Sequence, residues 1–178
     1  DGKVVLIPNA FGEYLTPSVV SIGKNQEVFV GSVAKEMLAT QPYDTFREFK
    51  RNMGTNFLYG NGRKKYRAEE LSAFVLRRLK EDAEKFLGEE VTEAVISVPA
   101  YFDDNKRNAT KNAGRLAGLK VERLINEPSA VALKHHTAEK GAESFIVFDF
   151  GGGTLDVSLV EAFDNVVEIQ AVAGDNYL

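Results

Sequence analysis

The sequence predicts an α/β fold, and three stretches support that prediction. Residues 95–125 have the pattern of a strand, a helix and a second strand. Apolar side chains recur every three or four residues over Glu69–Leu87, as in an amphipathic helix. The stretch FDFGGGTLDVSLVE, Phe148–Glu161, sets glycines between two aspartates and then alternates apolar and polar residues. That alternation has the period of a strand, so a strand–glycine turn–strand hairpin is predicted.

Composition restricts the class of function. Of the 178 residues, 44% are hydrophobic and 27% are charged, as in an ordinary globular protein. A net charge of −4 argues against nucleic acid as the main partner. The chain has no cysteine, and its two histidines, His135 and His136, fit a polar helix end better than a zinc site. Without a long apolar run or a signal peptide at its start, we expect a cytoplasmic enzyme or binding domain with no membrane partner.

Short elements are expected in the first third of the chain. Strands are predicted where β-branched residues precede turn-forming residues, at Lys3–Ile7, Ser18–Ile22 and Val28–Val30. Ser32 can cap a short helix that runs to Leu38, and Phe46–Met53 has a helical, basic pattern. The segment Asn56–Arg67 is basic, but a solvated loop is favoured over a functional patch.

The remaining elements follow in alternation. Gly88 should end the long helix. After it we predict strand Val95–Val98, a helix capped by Asp103 and ending near Leu116, strand Val121–Ile125, helix Ser129–His136 behind Pro128, and the hairpin strands. The polar spacer Thr137–Glu143 is the best candidate for a domain boundary.

The glycine turn has two interpretations. Successive backbone N–H groups in such a turn form a nest for anions, phosphate above all, and Asp149, Asp156 or both could orient a hydrated Mg²⁺. Thr154 adds a hydroxyl where the chain leaves the turn. Neither a Walker motif nor a dinucleotide fingerprint fits, because a strand follows instead of a helix. A plain hairpin in which the aspartates serve only as turn residues explains the pattern equally well.

Two charged residues elsewhere have simpler interpretations. Lys50 is expected to be a surface lysine, and Glu127 a carboxylate stabilised at a helix N-terminus. Either can be catalytic only if the fold brings it to the same cleft as the glycine turn.

Several stretches together resemble one family. VISVPAYFDDNKRNATKNAGRLAGLKVERLINEPSAVAL (Val95–Leu133) and IVFDFGGGTLDVSLVE (Ile146–Glu161) resemble the ATPase domain of the DnaK-type chaperones, the seventy-kilodalton heat-shock family. IPNAFGEYLTPSVV, FVGSVAKEML and FKRNMG resemble it too, so the similarity covers nearly the whole chain. The short segment Asn56–Arg67 is most similar to the HscC-like branch.

The resemblance implies an actin-like, hexokinase-like ATPase fold, in which ribonuclease H-like sheets with helices form two lobes around a nucleotide cleft. We expect residues 1–143 to be part of lobe I, with a peripheral subdomain at about 18–90, and residues 144–178 to begin lobe II. The family's first phosphate loop would precede the chain and its adenosine site would follow. We therefore expect the chain alone to bind ATP weakly, to lack turnover and to self-associate through exposed sheet edges.

The resemblance also implies roles for individual residues. The second phosphate loop would be Gly151, Gly152, Gly153 and Thr154, with Thr154 also catalytic. Asp149 would contact the hydrated metal and the attacking water, Glu127 would hold a water or act as a base, and Lys50 would stabilise charge on the γ-phosphate. Asp156 would join the metal site, so the expected cofactors are ATP or ADP and Mg²⁺.

Three further positions match parts of the family that communicate with partners. Pro99 and Arg107 match its interdomain switch, and Arg123 matches a position that meets the J-domain co-chaperone. A strand-end proline and two surface arginines are the simpler interpretations. The implied partners are unfolded peptides bound by another domain, a J-domain protein and a nucleotide-exchange factor. An actin-like filament protein, or a sugar or acetate kinase, is the alternative within the same superfamily.

Overall fold

The structure is a computed structural model that describes residues 4–60, 64–135, 141–151, 155–163 and 166–175. Within them the elements are, in chain order, β1 (Val20–Ile22), β2 (Val28–Val30), α1 (Ser32–Met37), β3 (Thr45–Phe46), a 3₁₀ turn (Phe49–Asn52), α2 (Ala68–Leu87), β4 (Glu93–Val98), α3 (Asp104–Leu116), β5 (Lys120–Asn126), α4 (Glu127–His135), β6 (Glu143–Phe150), β7 (Leu155–Phe163) and β8 (Val166–Asp175). We call the 3₁₀ turn the lysine turn, because Lys50 lies in it. None of these helices is long and apolar enough to cross a membrane.

The chain divides into two compact units. The first unit is Asp1–Ala94 with Asn108–Val121, and the second is Val95–Arg107 with Glu122–Leu178. Both contain helices and strands, as the sequence predicts. The lobe boundary near residue 143 stays a prediction, and residues 136–140 of the predicted spacer lie outside the described residues.

A small antiparallel sheet, in the order β2-β1-β3, organises the first unit. Helix α1 packs against all three strands, and α2 packs against β1, β2 and the lysine turn. Val20 of β1, Ala34 of α1 and Leu71 of α2 are completely buried, which places the core between the sheet and these helices.

Helix α2 confirms the predicted helix, and Gly88 ends it with φ 73°. The predicted apolar face is buried only in its N-terminal half. Leu71 and Val75 are buried, whereas Phe86 and Leu87 are about half exposed. The short elements that α2 packs against in the first unit leave the apolar side chains of its last turn uncovered.

Two predicted elements of the first unit are wrong. The described part of Lys3–Ile7 is not a strand, because no described strand lies beside it to pair its backbone groups. The predicted helix over Phe46–Met53 is instead the end of β3 followed by the lysine turn. Glu48 separates the two with a left-handed φ of 57°, which a continuing right-handed helix does not allow.

The second unit holds the predicted hairpin. Strands β6 and β7 pair antiparallel, and β8 adds a third strand that the sequence analysis missed. Its signal in the sequence was the alternation of Val167 and Ile169 with the polar residues Glu168 and Gln170. Helix α4 packs against all three strands and begins at Glu127, two residues before the predicted start. Asp103 caps α3 as predicted, since its Oδ1 accepts a hydrogen bond from the Lys106 N–H at 2.9 Å.

Candidate functional site

The β6–β7 hairpin sets two carboxylates opposite each other below the glycine turn. Phe150 pairs with Leu155 next to the turn, and Asp149 pairs with Asp156 one step further away. Side chains of directly paired residues lie on the same face of a sheet. The two aspartates therefore share one face, as a site for a cation beside the glycine turn requires.

The exposure of the side chains along β7 shows that this shared face is the buried face of the sheet. Asp156 alternates onto the same side of the strand as Ser158 and Val160, which are 3% and 0% exposed. Asp149 is exposed and Asp156 is half-buried. Like charges directly opposite each other on a sheet are destabilising, so this pair favours a bound cation.

The carboxylate pair is compatible with a hydrated Mg²⁺. Among the residues that the structure describes, no cluster of three or more His, Asp or Glu side chains could hold a metal. Mg²⁺ keeps several waters and needs only one or two carboxylates when phosphates supply the other ligands. The donor set therefore fits a magnesium–nucleotide complex better than a metal site made by the protein alone.

Only part of the predicted phosphate loop can be placed. Gly151 follows β6 and is exposed. Gly152, Gly153 and Thr154 lie outside the described residues, so their predicted roles stay predictions.

Gly174 is a site residue that the sequence analysis missed. It lies opposite Asp156 on β8. A Cβ at this position would lie 2.5 Å from the Leu155 carbonyl oxygen and 2.8 Å from Asp156 Oδ1. Glycine therefore leaves the space that the Asp156 carboxylate occupies. A glycine inside a strand is itself a signal for such a close approach.

Glu127 lies in the same unit as the two aspartates. It is half-buried and is the first residue of α4, the helix that packs against the strands carrying Asp149 and Asp156. A carboxylate in the first turn is also favoured by the helix dipole, as the sequence analysis expects.

Arg107 links the segment after Pro99 to the residue before Glu127. Its Nε donates to the Phe102 carbonyl oxygen at 2.8 Å, and its Nη2 donates to Asn126 Oδ1 at 2.7 Å. The Phe102 N–H in turn donates to the Pro99 carbonyl oxygen at 3.1 Å. Asn126 was not singled out in the sequence. Of the two predicted switch residues, Pro99 and Arg107, Arg107 thus makes side-chain hydrogen bonds to Phe102 and Asn126.

We expect Arg107→Lys to destabilise the protein by about 1–3 kcal/mol, because an ammonium group cannot hold both acceptors in the guanidinium's geometry. The free energy of unfolding from urea titration measures the loss. Arg123→Lys is the matched control, since Arg123 is exposed on β5. A change of about 0.5 kcal/mol or less at Arg123 is expected for a surface site. Equal losses from both substitutions would contradict a specific role for Arg107.

Lys50 belongs to the first unit. Its neighbour Phe49 and the following Met53 are each 3% exposed, whereas Lys50 itself is exposed. The lysine turn is thus anchored by apolar side chains and presents its lysine outward.

Comparison with known proteins shows the family to which the chain belongs. The family model described as Hsp70 protein matches residues 1–62 and 58–178. The chain is 49% identical, over 179 aligned residues, to the chaperone protein DnaK of Thermotoga neapolitana. The alignment covers 100% of this chain and 30% of that protein. These matches confirm the predicted α/β, actin-like ATPase fold class. The chain belongs to the Hsp70 protein family.

Proposed function

We propose that the chain belongs to the nucleotide-binding domain of a chaperone ATPase that binds ATP or ADP with Mg²⁺ and hydrolyses ATP. The observation that carries this proposal is the Asp149–Asp156 pair on one face below the glycine turn. Membership of the Hsp70 family and similarity to a chaperone protein support it. The filament and small-molecule kinase alternatives are not favoured, because the family match extends through the whole chain.

In this proposal the hairpin binds the phosphates. Backbone N–H groups of Gly151, Gly152 and Gly153 would donate hydrogen bonds to phosphate oxygens, and the Thr154 hydroxyl would add a further polar group. Asp149 and Asp156 would hold the magnesium complex by their carboxylates. Mg²⁺, when bound, would neutralise part of the negative charge of the phosphates.

Two residues would serve the hydrolysis step. Glu127 would orient the attacking water and accept its proton, and Lys50 would stabilise the negative charge that develops on the γ-phosphate. Catalysis would therefore rest on positioning and electrostatics, as phosphoryl transfer generally does.

Coupling to partners would start beside Glu127. The Arg107–Asn126 hydrogen bond connects the residue before Glu127 to the segment that follows Pro99. A movement of Glu127 would therefore also move that segment. Arg123 is exposed on β5, and in this proposal it would contact a J-domain co-chaperone. Unfolded peptides, that co-chaperone and a nucleotide-exchange factor are the proposed partners, and the cytoplasm is the proposed compartment.

Calorimetric titration with Mg·ATP tests the proposal. We expect the full-length gene product to bind Mg·ATP, and Asp156→Asn to weaken binding. Asp175→Asn should leave affinity unchanged, because Asp175 pairs with Leu155 and therefore lies on the opposite face of the sheet. Affinity that does not depend on Mg²⁺, or that both variants lower equally, would contradict the assigned site.

Turnover assays complete the test. Peptide-stimulated ATP hydrolysis by the full-length gene product would support the chaperone assignment, and hydrolysis without any response to peptide would count against it. The 178-residue chain alone should bind ATP weakly and show no steady-state hydrolysis. Sustained turnover by the chain alone would overturn that last expectation.

A further inference from the structure

We propose that Tyr59, acting through Asn52, is a positioning residue that fixes the lysine turn and thereby Lys50. The inference rests on the proposed role of Lys50 in ATP hydrolysis. Tyr59 lies in the segment that the sequence analysis interprets as a solvated loop.

One hydrogen bond connects Tyr59 to the turn. Asn52 Nδ2 donates to the Tyr59 hydroxyl oxygen at 2.7 Å, in a partly buried setting. Asn52 is the last residue of the lysine turn, and Lys50 is its second. A 3₁₀ helix completes a turn in about three residues, so a constraint on Asn52 restricts the backbone of Lys50 directly.

Tyr59 is itself held in place, which a useful anchor requires. Its backbone N–H and carbonyl exchange hydrogen bonds of 2.8 Å with those of Tyr66. Its ring makes edge-on contacts with Phe46, Phe49 and Phe57, at centroid distances of 6.1, 6.5 and 4.8 Å. The phenol oxygen is therefore a fixed point rather than the tip of a loose loop.

The protonation of Tyr59 suits this role. Burial raises the pKa of its hydroxyl, although the hydrogen bond from Asn52 opposes the shift. A phenol is neutral at physiological pH even without this shift, and the raised pKa maintains that state. The neutral phenol oxygen therefore accepts the hydrogen bond from Asn52 Nδ2 without adding a negative charge.

The start of the turn is also constrained. Glu48, just before it, has a left-handed φ of 57°, and its carboxylate lies 3.3 Å from Arg51 Nη1. Such a conformation persists only where the surroundings over-determine it. Phe49 is buried and Asn52 is hydrogen-bonded to Tyr59, so contacts constrain both the start and the end of the turn. The backbone of Lys50, which lies between these two residues, is therefore fixed in one position.

Single-turnover hydrolysis by the full-length gene product tests the inference, with Tyr59→Phe as the main variant. This substitution keeps the ring and removes the acceptor oxygen. We expect the rate of hydrolysis to fall by about three- to tenfold, as loss of one hydrogen bond allows, with ATP affinity unchanged. Asn52→Ala removes the same bond from the other side and should give a similar loss.

Tyr66→Phe is the matched control. Tyr66 belongs to the same aromatic cluster, with Phe46 and Phe74 at 6.4 and 6.2 Å, and its hydroxyl has no hydrogen-bond partner among the described residues. We expect Tyr66→Phe to leave the rate unchanged. Equal losses from Tyr59→Phe and Tyr66→Phe would show a general effect of the cluster and would overturn the inference.

A double-substitution cycle separates positioning from general stability. If Tyr59 acts through Lys50, Tyr59→Phe should cause no further loss of rate in a Lys50→Met background. The same fold-loss in both backgrounds would overturn the inference. A normal rate for Lys50→Met alone would instead overturn the proposed role of Lys50. If Lys50→Met slows hydrolysis and Tyr59→Phe does not, the positioning role of Tyr59 is overturned while the proposed role of Lys50 stands.

Discussion

Replacing Lys50 by methionine is expected to slow ATP hydrolysis by the full-length gene product about a hundred- to a thousandfold, the usual effect of removing one electrostatic group from a transition state. Methionine retains an unbranched apolar stem and removes the charge. Lys50 is exposed, while Phe49 and Met53 anchor the turn, so the fold should be unaffected. ATP affinity should change little if the lysine acts mainly on charge that develops during the reaction.

Rapid-quench measurement of a single turnover, with ATP affinity measured separately, checks this expectation. Lys65→Met is the control, since Lys65 is also an exposed lysine of the first unit. Its rate should match that of the unsubstituted protein. A Lys50→Met protein that binds ATP normally and hydrolyses it at full rate would remove Lys50 from the mechanism.

The local features of this fold were predictable from sequence. The helical spacing of α2, the Asp103 cap and the strand alternation after the glycines each depend on residues close together in the chain. The opposition of Asp149 and Asp156 follows from the four residues 151–154 that separate Phe150 from Leu155. In a regular antiparallel hairpin, pairing of Phe150 with Leu155 places Asp149 opposite Asp156.

The features that were missed depend on residues distant in the chain. The apolar pattern of Lys3–Ile7 predicts a strand, but a strand needs a partner, and the pattern does not supply one. Over Phe46–Met53 the helical pattern is real, yet Glu48 adopts a left-handed conformation just before the turn that Tyr59 anchors. Local propensity cannot anticipate that anchor, because it lies seven residues beyond Asn52.

Gly174 is a third such case, and its substitution by alanine is the other large effect that we expect. The added methyl group would lie 2.5 Å from the Leu155 carbonyl oxygen and 2.8 Å from Asp156 Oδ1. The carbonyl belongs to the sheet backbone and cannot move without separating β7 from β8. We expect a loss of about 1–3 kcal/mol in the free energy of unfolding, as for other overpacked sites.

Gly23→Ala is the matched control for this substitution. The nearest atom to a Cβ at Gly23 would be 3.7 Å away, which is an ordinary contact. Its stability should change little, or rise slightly because alanine restricts the unfolded chain. Urea unfolding of both variants measures the difference. Equal stability for Gly174→Ala and Gly23→Ala would mean that the strands adjust freely at Gly174.

The two close contacts of Gly174 can be separated, because only one of them involves a side chain. Adding Asp156→Ala to Gly174→Ala removes the carboxylate contact and leaves the contact with the Leu155 carbonyl oxygen. We therefore expect partial recovery of stability and no recovery of Mg·ATP binding. Full recovery of stability would show that the carboxylate alone requires glycine here. Gly174 would then serve the placement of Asp156, and the strand pairing would tolerate a larger residue.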